Sequence, residues 1–276
     1  MLIVCFTTIP SRFDLIGPTL DSLLRQSAKI DRIILYIPYQ YRRFPDYDGR
    51  LPEVPEGVEI RRTDKDLGPA TKILCAAKEF ADVDCDILFC DDDRVYSRHW
   101  AQRFVDERAR KPEGCIAAFG REAKTLFDSQ QLRELTPRAV KRRWQEDYFY
   151  ILKYAFWLVR RRFPNPPDRP RRRVFKRAGY IDIFMGFGGV MVKPDFFDEI
   201  AYDIPDECWS VDDIWLSGML ARKGIGIWIP SRMKEPPNSQ AYWADALWAS
   251  AFNGFSRPAA ETQSFEYLTK KYGIRQ

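Results

Sequence analysis

Ile87-Leu88-Phe89-Cys90-Asp91-Asp92-Asp93 decides the fold. Four apolar residues read as a buried strand, and three consecutive carboxylates follow at its end. An ionised carboxylate is costly to bury unless something neutralises it, and three in a row repel one another. They need solvent, a cation or a basic partner. Open α/β sheets hold ligands at the carboxyl ends of their strands. The stretch therefore predicts a divalent metal on Asp91 to Asp93 and, through it, a phosphate. Side chains alternate on an extended strand end, so Asp91 and Asp93 share one side while Asp92 points away and is mainly structural.

Working outward, the first half alternates strands and helices, which indicates a mainly parallel sheet. Strands are expected at Leu2 to Phe6, Ile33 to Ile37, Val58 to Ile60, Ile87 to Cys90 and Cys115 to Phe119. Helices are expected around Leu20 to Leu24, Thr71 to Phe80 and Trp100 to Val105. If the strands are parallel, Thr7/Thr8, Asp64/Asp66 and Asp91 to Asp93 all lie on one sheet edge. Asp64 and Asp66 also suit a solvated turn. Lys72 follows Gly-Pro-Ala-Thr at a helix start, where N–H groups and a cation could meet an anion.

The chain has 276 residues and a formal charge of +5. Lys141 to Arg177 carries thirteen Lys/Arg against three acids, so the remainder is net acidic and the total does not imply a nucleic-acid binder. Within it, Lys141 to Arg162 has helical periodicity and many Trp, Tyr and Phe between basic ends, and Pro164 to Pro170 breaks it. Such a helix suits peripheral membrane contact through residues 141–173, or packing on the core with its basic ends in water. The six cysteines form no CxxC pair and no Cys/His cluster, which fits a reducing compartment without a zinc site. No secretory signal and no transmembrane run is visible. A cytoplasmic protein is expected, peripheral at the inner face of a membrane if that helix docks there.

Further on, Gly186, Gly188 and Gly189 fall within four residues and would let a backbone approach something closely, or form a bulged strand. Asp212 and Asp213 open the apolar helix Ile214 to Leu220, where acids commonly cap and complement the dipole. His99, the sole histidine, sits at a helix start and reads as structural. Ile225 to Ile229 is a last strand, and the chain from Gln240 is aromatic and irregular.

Five motifs in order, Thr-Thr-Ile-Pro-Ser-Arg (7–12), Asp-Leu-Gly-Pro-Ala-Thr-Lys (66–72), Leu-Phe-Cys-Asp-Asp-Asp (88–93), Gly-Phe-Gly-Gly-Val (186–190) and Val-Asp-Asp-Ile-Trp-Leu (211–216), resemble a GT-A fold glycosyltransferase of the family 2-like type. The resemblance runs from Met1 to about Pro230, with Arg121 to Arg177 unmatched. It implies an α/β, Rossmann-like, mainly parallel sheet flanked by helices, with a helical basic and aromatic insertion. It implies one domain over 1–276: a nucleotide-sugar half (1–120), a variable insertion (121–178), and an acceptor half with a C-terminal extension (179–276). It also implies transfer of a hexosyl-type unit from a nucleoside diphosphate sugar to a carbohydrate or lipid-linked acceptor, inverting, in surface polysaccharide or glycolipid synthesis.

Residue by residue, the resemblance puts Thr7, Pro10 and Arg12 in the nucleotide pocket. Asp64 or Asp66 would contact base or ribose, and Lys72 would lie near the phosphates. Asp91 and Asp93 match the D-x-D acids that hold Mn²⁺ or Mg²⁺, with Asp92 beside the donor. Gly188 and Gly189 would border the donor sugar and acceptor. Asp213 resembles the catalytic base, although Asp212 in place of the usual Glu leaves the choice between them open. Hard carboxylates and a divalent cation suit a departing diphosphate, and a separate carboxylate suits an attacking hydroxyl. Two other readings compete. Asp91-Asp92-Asp93-Arg94-Val95 also fits the motif of haloacid-dehalogenase-like phosphatases, with Asp91 as nucleophile, but that family carries it on its first strand. A non-catalytic nucleotide-binding module would keep the fold without the chemistry.

Overall fold

The computed structural model describes residues 1–123, 135–164, 167, 169–246 and 257–273. In its first half lie β1 (Leu2–Thr7), β2 (Arg32–Pro38), β3 (Val58–Thr63), β4 (Asp86–Phe89) and β5 (Cys115–Ala117). Then come β6 (Gly120–Arg121), β7 (Val140–Lys141), β8 (Phe175–Arg177), β9 (Gly179–Ile181), β10 (Ile183–Phe184), β11 (Val190–Val192) and β12 (Ile227–Ile229). The helices are α1 (Gly17–Leu24), α2 (Thr71–Glu79), α3 (Trp100–Arg108), α4 (Tyr148–Arg160), α5 (Asp212–Arg222) and α6 (Arg257–Tyr272).

Eight strands form one sheet in the order β3-β2-β1-β4-β11-β5-β12-β9. β3, β2, β1 and β4 run parallel, as do β5 and β12. β11 lies antiparallel between β4 and β5, and β9 lies antiparallel to β12. This is the mainly parallel α/β sheet that the motif order implied. Ile3 to Phe6 and Ile87 to Phe89 are fully buried, because helices cover both faces of the central strands. The chain builds outward from β1 to β3, then returns to the other side of β1 as β4. That reversal opens a crevice at the carboxyl ends of β1 and β4. There the side chains after the two strands meet: the Thr8 hydroxyl donates to Asp92 Oδ2. A phosphatase of the dehalogenase type would carry its acids on the first strand; here they follow the fourth.

The C-terminal part departs from the irregular structure expected after Gln240. Gln240–Trp243 is a 3-10 turn and Arg257–Tyr272 is a four-turn helix. Ala260, Ser264 and Leu268 recur every four residues along its buried face, a helical spacing that the flanking aromatics obscured. α6 packs on α5 at Gly218, where a Cβ would stand 2.7 Å from Leu268 Cδ1. Residues 247–256 and 274–276 of this part lie outside the described residues, as do 124–134, 165–166 and 168 of the segment 121–178, including part of the expected proline break. All six cysteines are free thiols. Among the described residues no helix is long and apolar enough to cross a membrane.

Candidate active site

A cleft of about 500 Å³ opens at the β1/β4 crevice, within the size range of small-molecule sites. Thr7, Thr8, Arg12, Asp66, Lys72, Asp91, Asp92, Asp93, Asp212 and Asp213 line it, so most of the residues singled out in the sequence converge there.

The acid triplet is held from every side. The Cys90 N–H donates to the Cys5 carbonyl, extending the ladder to the edge of the triplet. Asp92 is buried; Arg12 Nη1 lies 2.7 Å from its Oδ1, and Thr19 donates to its carbonyl. It anchors the loop, but through a turn and not through strand alternation: β4 ends at Phe89, and Asp92 and Asp93 both face Arg12. From above, the segment after β12 crosses the triplet: the Ser239 N–H donates to the Asp93 carbonyl, and Arg12 Nε donates to the Ala244 carbonyl.

Lys72 and the acids around it form the electrostatic centre. Its Nζ is buried, 2.7 Å from Asp91 Oδ1 and 3.0 Å from Asp212 Oδ2. Burial disfavours the ammonium, but Asp212, Asp91 and Asp213 outweigh it and hold the pKa well above the usual lysine value. Burial likewise opposes the Asp91 charge, and there Lys72 wins, holding its carboxyl below the usual range. Lys72 thus bridges the acids after β4 to the acids that open α5, rather than standing free for a phosphate.

Asp213 has the opposite balance. Burial and then repulsion from Asp212 push its carboxyl up to about 7. Its Oδ1 accepts the Gly186 N–H at 3.0 Å, which orients it in the cleft wall. The two acids at the start of α5 are thereby separated: Asp212 is buried against Lys72, and Asp213 is half-buried and poised to exchange a proton near neutrality.

Asp93 is the second carboxyl pushed up to about 7, by burial and by repulsion from Asp91 and Asp92. Its Oδ2 lies 3.5 Å from Arg12 Nη1, and its Oδ1 lies 3.3 Å from Arg94 Nε. That Oδ1 is buried and accepts no well-formed hydrogen bond, its sole near partner among the described residues being the Arg94 guanidinium. Hard carboxylate oxygens of Asp91 and Asp93 in an acid-rich cleft are donors of the kind a divalent cation takes, and such a cation would compete with Arg94 for Asp93. Among the described residues no three acids, histidines or cysteines form a cage alone, so phosphate and water oxygens would complete such a site.

Three expectations change. Pro10 does not line the cleft; it starts the 3-10 turn Pro10–Arg12 that aims Arg12. Asp64 is exposed and outside the cleft, whereas Asp66 lines it and accepts the N–H groups of Arg42 and Gly68, so it shapes the turn as well. Thr7 and Arg12 do line the cleft, Arg12 while paired to Asp92 and the Thr7 hydroxyl while donating to the Tyr36 carbonyl. Gly188 and Gly189 pack instead of bordering the cleft: a Cβ on Gly188 would stand 2.1 Å from Phe119 Cδ2, and one on Gly189 2.5 Å from Trp100 Cζ2. Of these three glycines Gly186 stands nearest the site: a Cβ there would come within 3.0 Å of Lys72 Nζ and 3.2 Å of Asp213 Oδ1. Gly188→Ala should accordingly cost about 1–3 kcal/mol by overpacking, measured as a lower denaturant midpoint.

Sequence reading also missed cleft residues that converge only through the fold. Arg94 stacks over Phe187 at 4.5 Å and Tyr242 at 5.0 Å, and Glu261 of α6 pairs with Arg121 at 2.9 Å. His99 lies away from the cleft, with Nδ1 2.8 Å from the Ser27 hydroxyl, as a structural residue would.

No protein family model matches the chain, and no curated protein matches it. Solved structures do. S. aureus TarS 1-349 in complex with UDP-GlcNAc aligns over 99% of this chain and 67% of that one, at 10% identity and a TM-score of 0.50. A second structure of S. aureus TarS 1-349 aligns over 85% of this chain and 58% of that one, at 11% identity and TM-score 0.42. S. aureus TarS itself aligns over 85% of this chain and 35% of that one, at 13% identity and TM-score 0.42. The chain thus spans roughly a third to two-thirds of the length of the TarS chains it matches. It shares the fold of the UDP-GlcNAc complex, the GT-A architecture that the five motifs resemble.

Proposed function

We propose that the chain is a metal-dependent glycosyltransferase that moves a sugar from a nucleoside diphosphate sugar to an acceptor hydroxyl with inversion. One observation carries this reading: Asp91 and Asp93, Lys72, and Asp213 converge in one cleft at the switch point of the sheet. The TarS structure with UDP-GlcNAc, which shares the fold, supports a nucleotide-sugar donor.

Asp91 and Asp93 would hold Mn²⁺ or Mg²⁺, which supplies charge neutralisation for a departing diphosphate. Asp213 takes the proton of the acceptor hydroxyl as its oxygen bonds to the sugar carbon. The bond from that carbon to the diphosphate breaks, and its electron pair leaves with the diphosphate. A carboxyl near 7 suits this role, because its proton affinity lies near the working pH. Asp212 and Lys72 hold the acids after β4 and at the start of α5 in register. Asp66, in the turn after β3 at the carboxyl edge, would face the nucleoside. The acceptor is a carbohydrate or lipid-linked hydroxyl of the surface polysaccharide or glycolipid class, and a peripheral contact through residues 141–173 would hold the enzyme where lipid-linked acceptors lie.

Calorimetry tests the donor site. UDP with Mn²⁺ should bind in a metal-dependent manner, and Asp93→Ala should weaken binding at least tenfold. Binding that is tight without metal would remove the D-x-D role. Turnover of a nucleotide-sugar panel, followed by mass spectrometry, separates an enzyme from a binding module.

A further inference from the structure

α4 carries two aromatic faces with different fates. Tyr150, Tyr154 and Trp157 face inward and stack, with ring centroids 5.8 and 5.6 Å apart. Arginines clasp them: Arg169 lies 5.5 Å from the Tyr154 ring and Arg161 5.2 Å from that of Trp157. This half is finished packing. The outer half is not. Phe149, Leu152, Phe156 and Val159 recur at helical spacing, and they are 81%, 68%, 62% and 61% exposed. Phe163 continues the stripe past the helix end. Large apolar stripes left in water mark contact surfaces.

Beside the helix lies a cluster of cations. Burial and then repulsion from Arg173, Arg103, Lys153 and Arg171 lower the pKa of Lys234. Burial, Arg173 and Arg171 lower that of Arg103. Among the described residues no acid lies in ion-pair range of any of these five, whereas Arg142 and Arg172 pair with Asp147, and Lys176 with Glu146. Five cations repelling one another beside an exposed aromatic stripe are complementary to an anionic, apolar surface.

We propose that the outer face of α4 and the cluster of Arg103, Lys153, Arg171, Arg173 and Lys234 dock the protein on an anionic lipid bilayer. The helix lies in the headgroup plane with Phe149, Leu152, Phe156 and Val159 toward the acyl chains, and the cluster meets lipid phosphates. This gives the peripheral contact in the proposed function its lipid chemistry and its residues. The surface is tied to the candidate active site, because the N–H of Glu235, a cleft-lining residue, donates to the Arg172 carbonyl.

Vesicle co-sedimentation, run without nucleotide or metal, tests it independently of the transfer reaction. The full chain should sediment with vesicles of phosphatidylcholine containing 30% phosphatidylglycerol and fall at least tenfold on phosphatidylcholine alone. Phe149→Ser with Phe156→Ser should abolish binding without changing the thermal melt, since both side chains already lie in water. Arg171→Glu with Arg173→Glu should do the same through the other half of the surface. Equal uptake by both vesicle types, or uptake that survives the phenylalanine changes, overturns the proposal. So does a concentration-dependent dimer that the phenylalanine changes dissolve while no vesicle binding is seen; the face then belongs to a second copy.

Discussion

Asp213→Asn should lower the transfer rate by about 10²–10⁴-fold while leaving nucleotide binding intact, as expected for loss of a general base. Asparagine keeps the oxygen that accepts the Gly186 N–H, so the wall of the cleft holds its shape. In the parent protein the rate should rise with pH through about 7, because only the ionised carboxyl takes the acceptor proton. The same shift has an opposite consequence for stability. The folded pKa is raised from 3.8 to about 7, so the folded state binds this proton more tightly than the unfolded chain. That contribution is complete below about 3.8 and is lost as pH rises through about 7. Asp213→Asn should therefore melt above the parent at pH 8 and close to it at pH 4. A dead variant with higher stability at alkaline pH is the mark of an acid kept for chemistry rather than folding. Normal turnover by Asp213→Asn together with loss in Asp212→Asn would transfer the base role to Asp212.

How far the sequence reached follows from the range of each signal. The strand of residues 87–90 is a run of contiguous apolar residues, and the parallel sheet follows from its alternation with helices; both are local patterns. The alternation that assigned Asp92 a structural role is local too, but it does not reach the triplet, which turns after Phe89; Thr8 and Arg12 hold Asp92 through contacts that only the fold creates. Glycines were harder. Gly186, Gly188 and Gly189 look alike in sequence, but only the fold shows that Phe119 and Trp100 fill the space beside the last two while Lys72 and Asp213 flank the first. The pairing of Lys72 with Asp212 joins residues far apart in the chain, so no spacing announces it. The α6 helix went unread because its stripe is narrow and the aromatic residues before it follow no period.

Lys72→Met should destabilise the fold by about 3–5 kcal/mol, the cost of leaving buried carboxylates without their cation. Lys72 is 3% exposed and lies within 3.0 Å of both Asp91 and Asp212, so its loss takes the nearest cation from both carboxylates at once. Arginine is a poor substitute: even a Cβ on Gly186 would come within 3.0 Å of Nζ, which leaves little room for a planar fork. A denaturant melt reads the loss. Adding Asp212→Asn to Lys72→Met should recover part of it, because the second change removes one stranded charge, and the recovery measures their coupling. Transfer should not recover with it, since the two residues together join the acids after β4 to the acids at the start of α5. A melt of Lys72→Met within about 0.5 kcal/mol of the parent would mean that this bridge carries no stability, since changes of that size are usual at surface positions remote from any such feature. Recovery of folding without recovery of transfer would instead identify the lysine as the part that keeps the two acid clusters facing one donor.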